Sequence, residues 1–138
     1  MIEINNKTKG YPLSPVDKKV FSTVAKKVLK GENRGTETVS LAFVGKEEIK
    51  KLNKEFRKKN KATDVLSFEL NDAGCLGEIV ICPEVVKGNA EKYKISEQEE
   101  MLKVFVHGIL HLCGYDHEKS EKEAELMESK QEKYLSKA

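Results

Sequence analysis

The sequence contains no apolar run of the length a membrane span requires, which argues against a helical membrane protein. Residues Met1 to Ser14 lack the apolar core and small-residue cleavage site of a secretory signal, so export is not expected. Cysteine is scarce. Cys75, Cys82 and Cys113 are widely spaced and form neither a disulfide framework nor a C-x-x-C pair, the pattern of a reduced, cytoplasmic chain. Their expected role is that of small buried hydrophobes. No internal repeat, low-complexity tract or dividing linker interrupts the chain, so residues 1–138 are expected to form one domain. A hydrophobic fraction of 38% excludes a disordered chain, and 138 residues suffice to bury a core without disulfide staples.

The net charge of +2 conceals a division between the two halves. Residues 1–61 hold 16 Lys or Arg against 7 Asp or Glu, a net +9, whereas residues 62–138 are net −7. The densest basic stretch runs from Lys46 to Lys61, with 8 basic and 3 acidic residues. Such a stretch suits a polyanion, although lysine-rich faces are also common as plain solvated helix surfaces.

Hydrophobic spacing orders the elements. Ile2 to Ile4 alternates like a short strand. Ser14, Pro15 and Asp17 open a helix carrying Val16, Val20, Phe21, Val24 and Val28 toward Lys30. Thr38 to Val44 reads as a strand, followed by a helix with Ile49, Leu52 and Phe56 on one face. Val65, Leu66 and Phe68 mark a third strand, a loop spans Asn71 to Cys75, and Leu76 to Cys82 gives a fourth strand in an antiparallel hairpin. The three earlier strands, joined by helices, are expected to be parallel. Pro83 opens a short helix, Ser96 and Glu99 cap a longer one reaching His111 or Leu112, and a charged helix from about Lys119 to Tyr134 follows. The expected class is α+β (mixed α/β): a four-stranded mixed sheet, three strands parallel and one antiparallel, packed with about five helices.

All three histidines fall within eleven residues, His107 to His117. Residues four apart on a helix share a face, so His107 and His111 can present two imidazole nitrogens to one metal ion. Gly114 can take a left-handed conformation, end the helix and return His117 to the same ion. Three neutral imidazoles suit one zinc ion per chain and leave a coordination position open, as catalytic sites do. Cys113 points to another side of the helix and is read as packing. The spacing matches HExxHxxGxxH, the signature of metzincin proteases, except that Gly108 stands where those enzymes carry a catalytic Glu. Glycine can neither take a proton nor return it to a leaving amine, so the standard route of peptide hydrolysis is disfavoured. Asp116 is expected to form a turn or orient a ligand, with a role as base the less favoured reading.

With these residues, the chain closely resembles the YbeY family of metal-dependent endoribonucleases, whose hallmark is HGxLHLxGYDH. His107 to His117 fits that segment, and Leu52-Asn53 through Arg57 to Thr63–Phe68 and Leu76 to Ile81 resemble further family blocks. Ala62 stands where many relatives have proline, and Lys58 and Asn60 replace more usual Gly and Asp beside Arg57. The resemblance implies a zincin-like metal helix, with His107, His111 and His117 as zinc ligands, and Arg57 as a cleft arginine acting with His107 in cleavage. It also implies single-strand-specific RNA cleavage, maturation of the 16S rRNA 3′ end, ribosome quality control, and ribosomal RNA, the ribosome or small-subunit assembly proteins as partners.

Two other classes fit the histidines. One is a zinc metallopeptidase-like hydrolase with a base from elsewhere, which Gly108 argues against. The other is a non-catalytic, metal-stabilised ribosome-assembly factor, for which an open metal position is a poor design.

Overall fold

The computed structural model describes residues 2–6, 15–72, 74–116 and 118–135. The chain runs β1 (Ile2–Asn6), α1 (Pro15–Gly31), β2 (Thr38–Phe43), α2 (Lys46–Arg57), β3 (Val65–Asp72), β4 (Cys75–Ile81), α3 (Pro83–Tyr93), α4 (Glu97–Leu112) and α5 (Glu121–Leu135). The mixed α+β class and the five helices agree with the expectation from sequence.

Strands β2, β4 and β3 make a three-stranded mixed sheet, β4 pairing parallel to β2 and antiparallel to β3. Strand β1 follows the other side of β2 in parallel, from Ile2↔Val39 to Asn6↔Phe43, so the expected fourth strand is carried by backbone pairing. Expectation and structure differ over which strand runs against the others. The sequence reading made the first three strands parallel; instead β4 lies beside β2, and β3 is the antiparallel edge. Burial explains the exchange. Ile79 and Ile81 of β4 face one layer while Val80 and Cys82 face the other, all of them buried, so this strand needs cover on both sides. Among the described side chains of β3 only Leu66 is buried, and Leu70 is exposed, a pattern that suits an edge. The β3–β4 loop is also shorter than expected, because the strands extend to Asp72 and from Cys75.

The alternation in β2 and β4 divides the core in two. On one face, Leu41, Phe43, Ile79 and Ile81 meet Phe21 and Val28 of α1, Phe105 and Ile109 of α4, and Met127 of α5. Phe105 stands edge-on to Phe21 with ring centres 5.1 Å apart. On the other face, Ala42, Val44 and Val80 meet Ile49 of α2. Helix α4 therefore lies on one side of the sheet and α2 on the other, both reaching the edge strand β3.

Helix α4 begins as its capping residues suggest, Ser96 Oγ accepting the Glu99 backbone N–H at 3.0 Å. It ends in a Schellman turn. Gly114 has φ +108°, its N–H bonds to His111 O at 3.1 Å, and Tyr115 N–H bonds to Leu110 O at 3.2 Å. Helix α2 ends differently, with Lys58 itself in the left-handed region at φ 59°. A side chain there carries a steric cost that glycine escapes, so Lys58→Gly is expected to raise stability by about 0.5–1 kcal/mol. Urea denaturation midpoints of the two proteins check this; an unchanged or lowered midpoint contradicts it.

Candidate functional site

One stripe of α4, comprising Glu100, Val104, His107 and His111, forms a wall of a recess of about 710 Å³. The edge strand contributes Val65, Ser67 and Phe68, and α2 brings Asn53, Phe56 and Arg57 from the other layer. The structure thus gathers His107, His111 and Arg57 around one cavity, although 50 positions separate His107 from Arg57 in sequence. Asp116 lines it as well. His117 lies outside the described residues, and among the described residues no group of three or more His, Cys, Asp or Glu side chains is placed to hold a metal ion.

His107 and His111 are both partly buried. The His107 Nδ1 lies 2.6 Å from Gln131 Oε1 on α5. With the Gln131 amide oxygen turned to the ring, the pairing is that of the Nδ1–H tautomer, in which Nε2 is the basic nitrogen. This arrangement, in which one ring nitrogen is tied to an oxygen acceptor and the other is a Lewis base, is the usual form of a metal-ligating histidine. The donor set present thus fits a zinc ion in two of its three expected members. Gln131 was missed in the sequence, where its helix reads as a charged surface. The available signal was its place on the buried stripe of Met127 and Tyr134, where a polar residue needs a partner.

Arg57 Nη2 lies 3.5 Å from Glu118 Oε1, and Lys59 Nζ reaches the same oxygen at 3.9 Å. These pairs are solvent-exposed and contribute little to stability, but they join the end of α2 to the loop after α4 across the recess mouth. Asn53, almost fully buried, donates from Nδ2 to Lys61 O at 2.9 Å and so fixes the loop following Arg57. Asp116 Oδ1 accepts the Glu118 backbone N–H at 3.0 Å, the turn-forming role expected of it. Cys113 packs against the core, and burial, with Glu32 nearby, pushes its thiol up to about 11.

Gly108 faces the sheet. A Cβ there would stand 3.0 Å from Ile79 Cγ2 and 3.2 Å from Ser67 Oγ, and the Gly108 carbonyl accepts from Ser67 Oγ at 3.3 Å. A side chain at this position would crowd Ile79 and Ser67, whose side chains would have to give by a few tenths of an ångström. Glycine thus suits the close packing of α4 on the sheet, and the position that carries the metzincin base faces Ile79 and Ser67 here.

Glu32 secures the turn that follows α4. It accepts from Tyr115 Oη at 2.7 Å and from Tyr134 Oη, and Lys130 Nζ lies 3.4 Å away. Burial alone would raise its carboxyl, but the bonds from Tyr134, Tyr115 and Lys130 outweigh burial and hold it below the usual 4.5.

A helix-borne histidine pair and an arginine brought from the opposite layer, facing one cleft of an α+β scaffold, define the class of small protein to which this chain belongs. A family model described as Endoribonuclease YbeY matches residues 3–138. The chain belongs to the YbeY family. It is 52% identical over 99 residues to an endoribonuclease YbeY of Bdellovibrio bacteriovorus, covering 72% of this chain and 65% of that protein. With the endoribonuclease YbeY of Thermotoga maritima it shares 39% identity over 135 residues, 98% of this chain and 87% of the relative. A solution structure of a Thermotoga maritima protein superposes with a TM-score of 0.70 at 38% identity, covering 98% of this chain and 87% of the other.

The lowered Glu32 carboxyl makes a pH dependence follow. A group with a depressed folded-state pKa stabilises the fold above its unfolded pKa and loses that contribution as pH falls through the folded value. Wild-type stability should thus decline below pH 4.5 more steeply than that of Glu32→Gln, which should be the less stable of the two at pH 7. Thermal unfolding of both proteins between pH 7 and pH 3 checks this; parallel curves contradict it.

Proposed function

We propose that the chain is a single-strand-specific, zinc-dependent endoribonuclease acting in 16S rRNA 3′ end maturation and ribosome quality control. The observation that carries this reading is the convergence of His107, His111 and Arg57 on one recess in a member of the YbeY family. His107, His111 and His117 hold one zinc ion per chain. When bound, that ion supplies Lewis acidity toward a phosphodiester oxygen and lowers the pKa of water.

The rest of the work falls to this chain's own groups. Gln131 holds the His107 ring in a single tautomer and orientation. Arg57 leaves Glu118 for a phosphate, to which a guanidinium gives two parallel N–H bonds and a permanent charge. The exchange costs little, because the pair it breaks is exposed. Lys59 and Lys61 on the same rim follow the RNA backbone, and the basic face of α2 extends the path. The acidic surface of α5 is turned to basic ribosomal or small-subunit assembly proteins in the cytoplasm. No described helix is long and apolar enough to cross a membrane.

The experiment is zinc titration of chelated protein joined to cleavage of an end-labelled single-stranded RNA. One zinc should bind per chain and restore cleavage that the chelator removed, with the fold largely kept. Unfolding on chelation with no cleavage at any stage supports the non-catalytic assembly factor instead. Arg57→Ala should keep zinc and the thermal transition while cutting RNA about 100-fold more slowly, and Arg57→Lys should recover only part of the rate. Wild-type cleavage by Arg57→Ala removes the arginine from the site.

Gln131→Ala should fold but bind zinc about 10–100-fold more weakly, since the ring loses the acceptor that orients it. Competition with a fluorescent zinc chelator reads this directly, and unchanged affinity contradicts the orienting role.

A further inference from the structure

The recess continues past the histidines. Glu100 lies on the same stripe of α4, two turns before His107, about 10 Å along the helix axis. It is 3% exposed, and its Oε1 has no hydrogen-bond partner among the described residues. A buried carboxylate oxygen without a donor is costly, and the fold has placed one in the wall of the cavity. Burial pushes this carboxyl above its ordinary range, Lys103 opposing and Asp64 adding to the effect. A ligand bringing an N–H to Oε1 would relieve that cost.

Two other walls carry aromatic rings in the open. Phe56 is 59% and Tyr93 54% exposed, and both line the recess. The Phe56 ring is supported edge-on by Phe68 at 5.2 Å, and Lys103 Nζ lies 5.7 Å from the centre of the Tyr93 ring. Exposed rings beside lysines are the equipment for binding unpaired bases, the rings stacking and the ammonium groups meeting phosphate. Stacking tolerates every base, so identity must come from a polar group. Glu100 is the buried polar group left unsatisfied here.

We propose that Glu100, Phe56 and Tyr93 form a nucleobase subsite that selects guanine in single-stranded RNA. The base stacks on an exposed ring and directs its Watson–Crick edge at the Glu100 carboxylate. A carboxylate only accepts hydrogen bonds, and guanine alone of the four bases offers two adjacent donors, N1–H and N2–H, on that edge. The subsite rests on the ribonuclease reading of the same recess and adds to it a fixed distance along α4 between the base that is read and the histidines.

Fluorescence anisotropy with 5′-labelled hexauridylate, the same oligomer with one guanosine, and the same with one inosine tests this without requiring cleavage. A single guanosine should tighten binding about tenfold, and inosine, lacking the 2-amino group, should lose about threefold of that gain. Glu100→Gln should bring the guanosine oligomer to the level of hexauridylate. Tyr93→Ala and Phe56→Ala should weaken all three oligomers together, with the preference retained. Equal binding of guanosine and uridine oligomers, a preference for another base, or a guanosine gain that survives Glu100→Gln overturns the subsite. If Glu100→Gln does not fold, the wild-type comparison decides: an inosine oligomer binding as tightly as the guanosine one overturns it, and a loss supports it. Oligomers that bind without base preference sink the subsite alone, whereas failure of every oligomer to bind sinks the ribonuclease reading as well.

Discussion

Helix α4 lies against the sheet at a distance set by two missing Cβ atoms. At Gly108 the helix backbone approaches Ile79 and Ser67, and at Gly77 the sheet admits Leu112 into the space a side chain would fill. The close approach fixes the rotation of α4 about its own axis. Phe105, Ile109 and Leu112 turn to the core, while Glu100, His107 and His111 turn to the recess. A helix of the same sequence held farther from the sheet could roll, and no single direction would be assigned to its imidazoles. Gly108 thus permits the close approach that sets the direction of His107 and His111.

The recess shows how the division of charge along the sequence is used in space. Arg57, Lys59, Lys61 and Lys103 occupy its exposed rim, while Asp64, Glu100 and Asp116 sit deeper. A polyanion meets the rim first. The depth of the site instead favours groups that are positive or that donate N–H. A uniformly basic groove would bind nucleic acid without preference for where its bases point. In the proposed complex, the graded arrangement would hold the RNA backbone outside and turn its bases inward.

What was legible in the sequence was local. The four-residue spacing of His107 and His111, the Gly114 turn and the Ser96 cap each involve residues within one or two helical turns, where chain geometry leaves little choice. Long-range partners left no comparable trace. Gln131 meets His107 across 24 positions, Glu118 meets Arg57 across 61, and Glu32 meets Tyr134 across 102. Glu100 is one of three acids in the first turn of its helix, and only packing marks it off from Glu97 and Glu99 as buried. The error over strand direction has the same origin. A hairpin is a local statement, but which of its two strands sits beside β2 depends on the cover each face receives. Arg57 was reached through family resemblance, because a surface arginine carries no local mark of the cleft it borders.

The two sides of the recess are held by unlike means. The histidines stand on a helix whose backbone hydrogen bonds are enclosed between α1, α5 and the sheet, so exposing them requires much of the core to come apart. Arg57 stands at the last position of a helix that ends in a left-handed lysine, tethered by exposed ion pairs. Fraying of that terminus breaks few contacts. In amide exchange, the histidine side therefore belongs with the global unfolding unit and the arginine side with local openings. A long polymer can enter such a recess by lifting the arginine side, while the side that carries His107 and His111 keeps its shape.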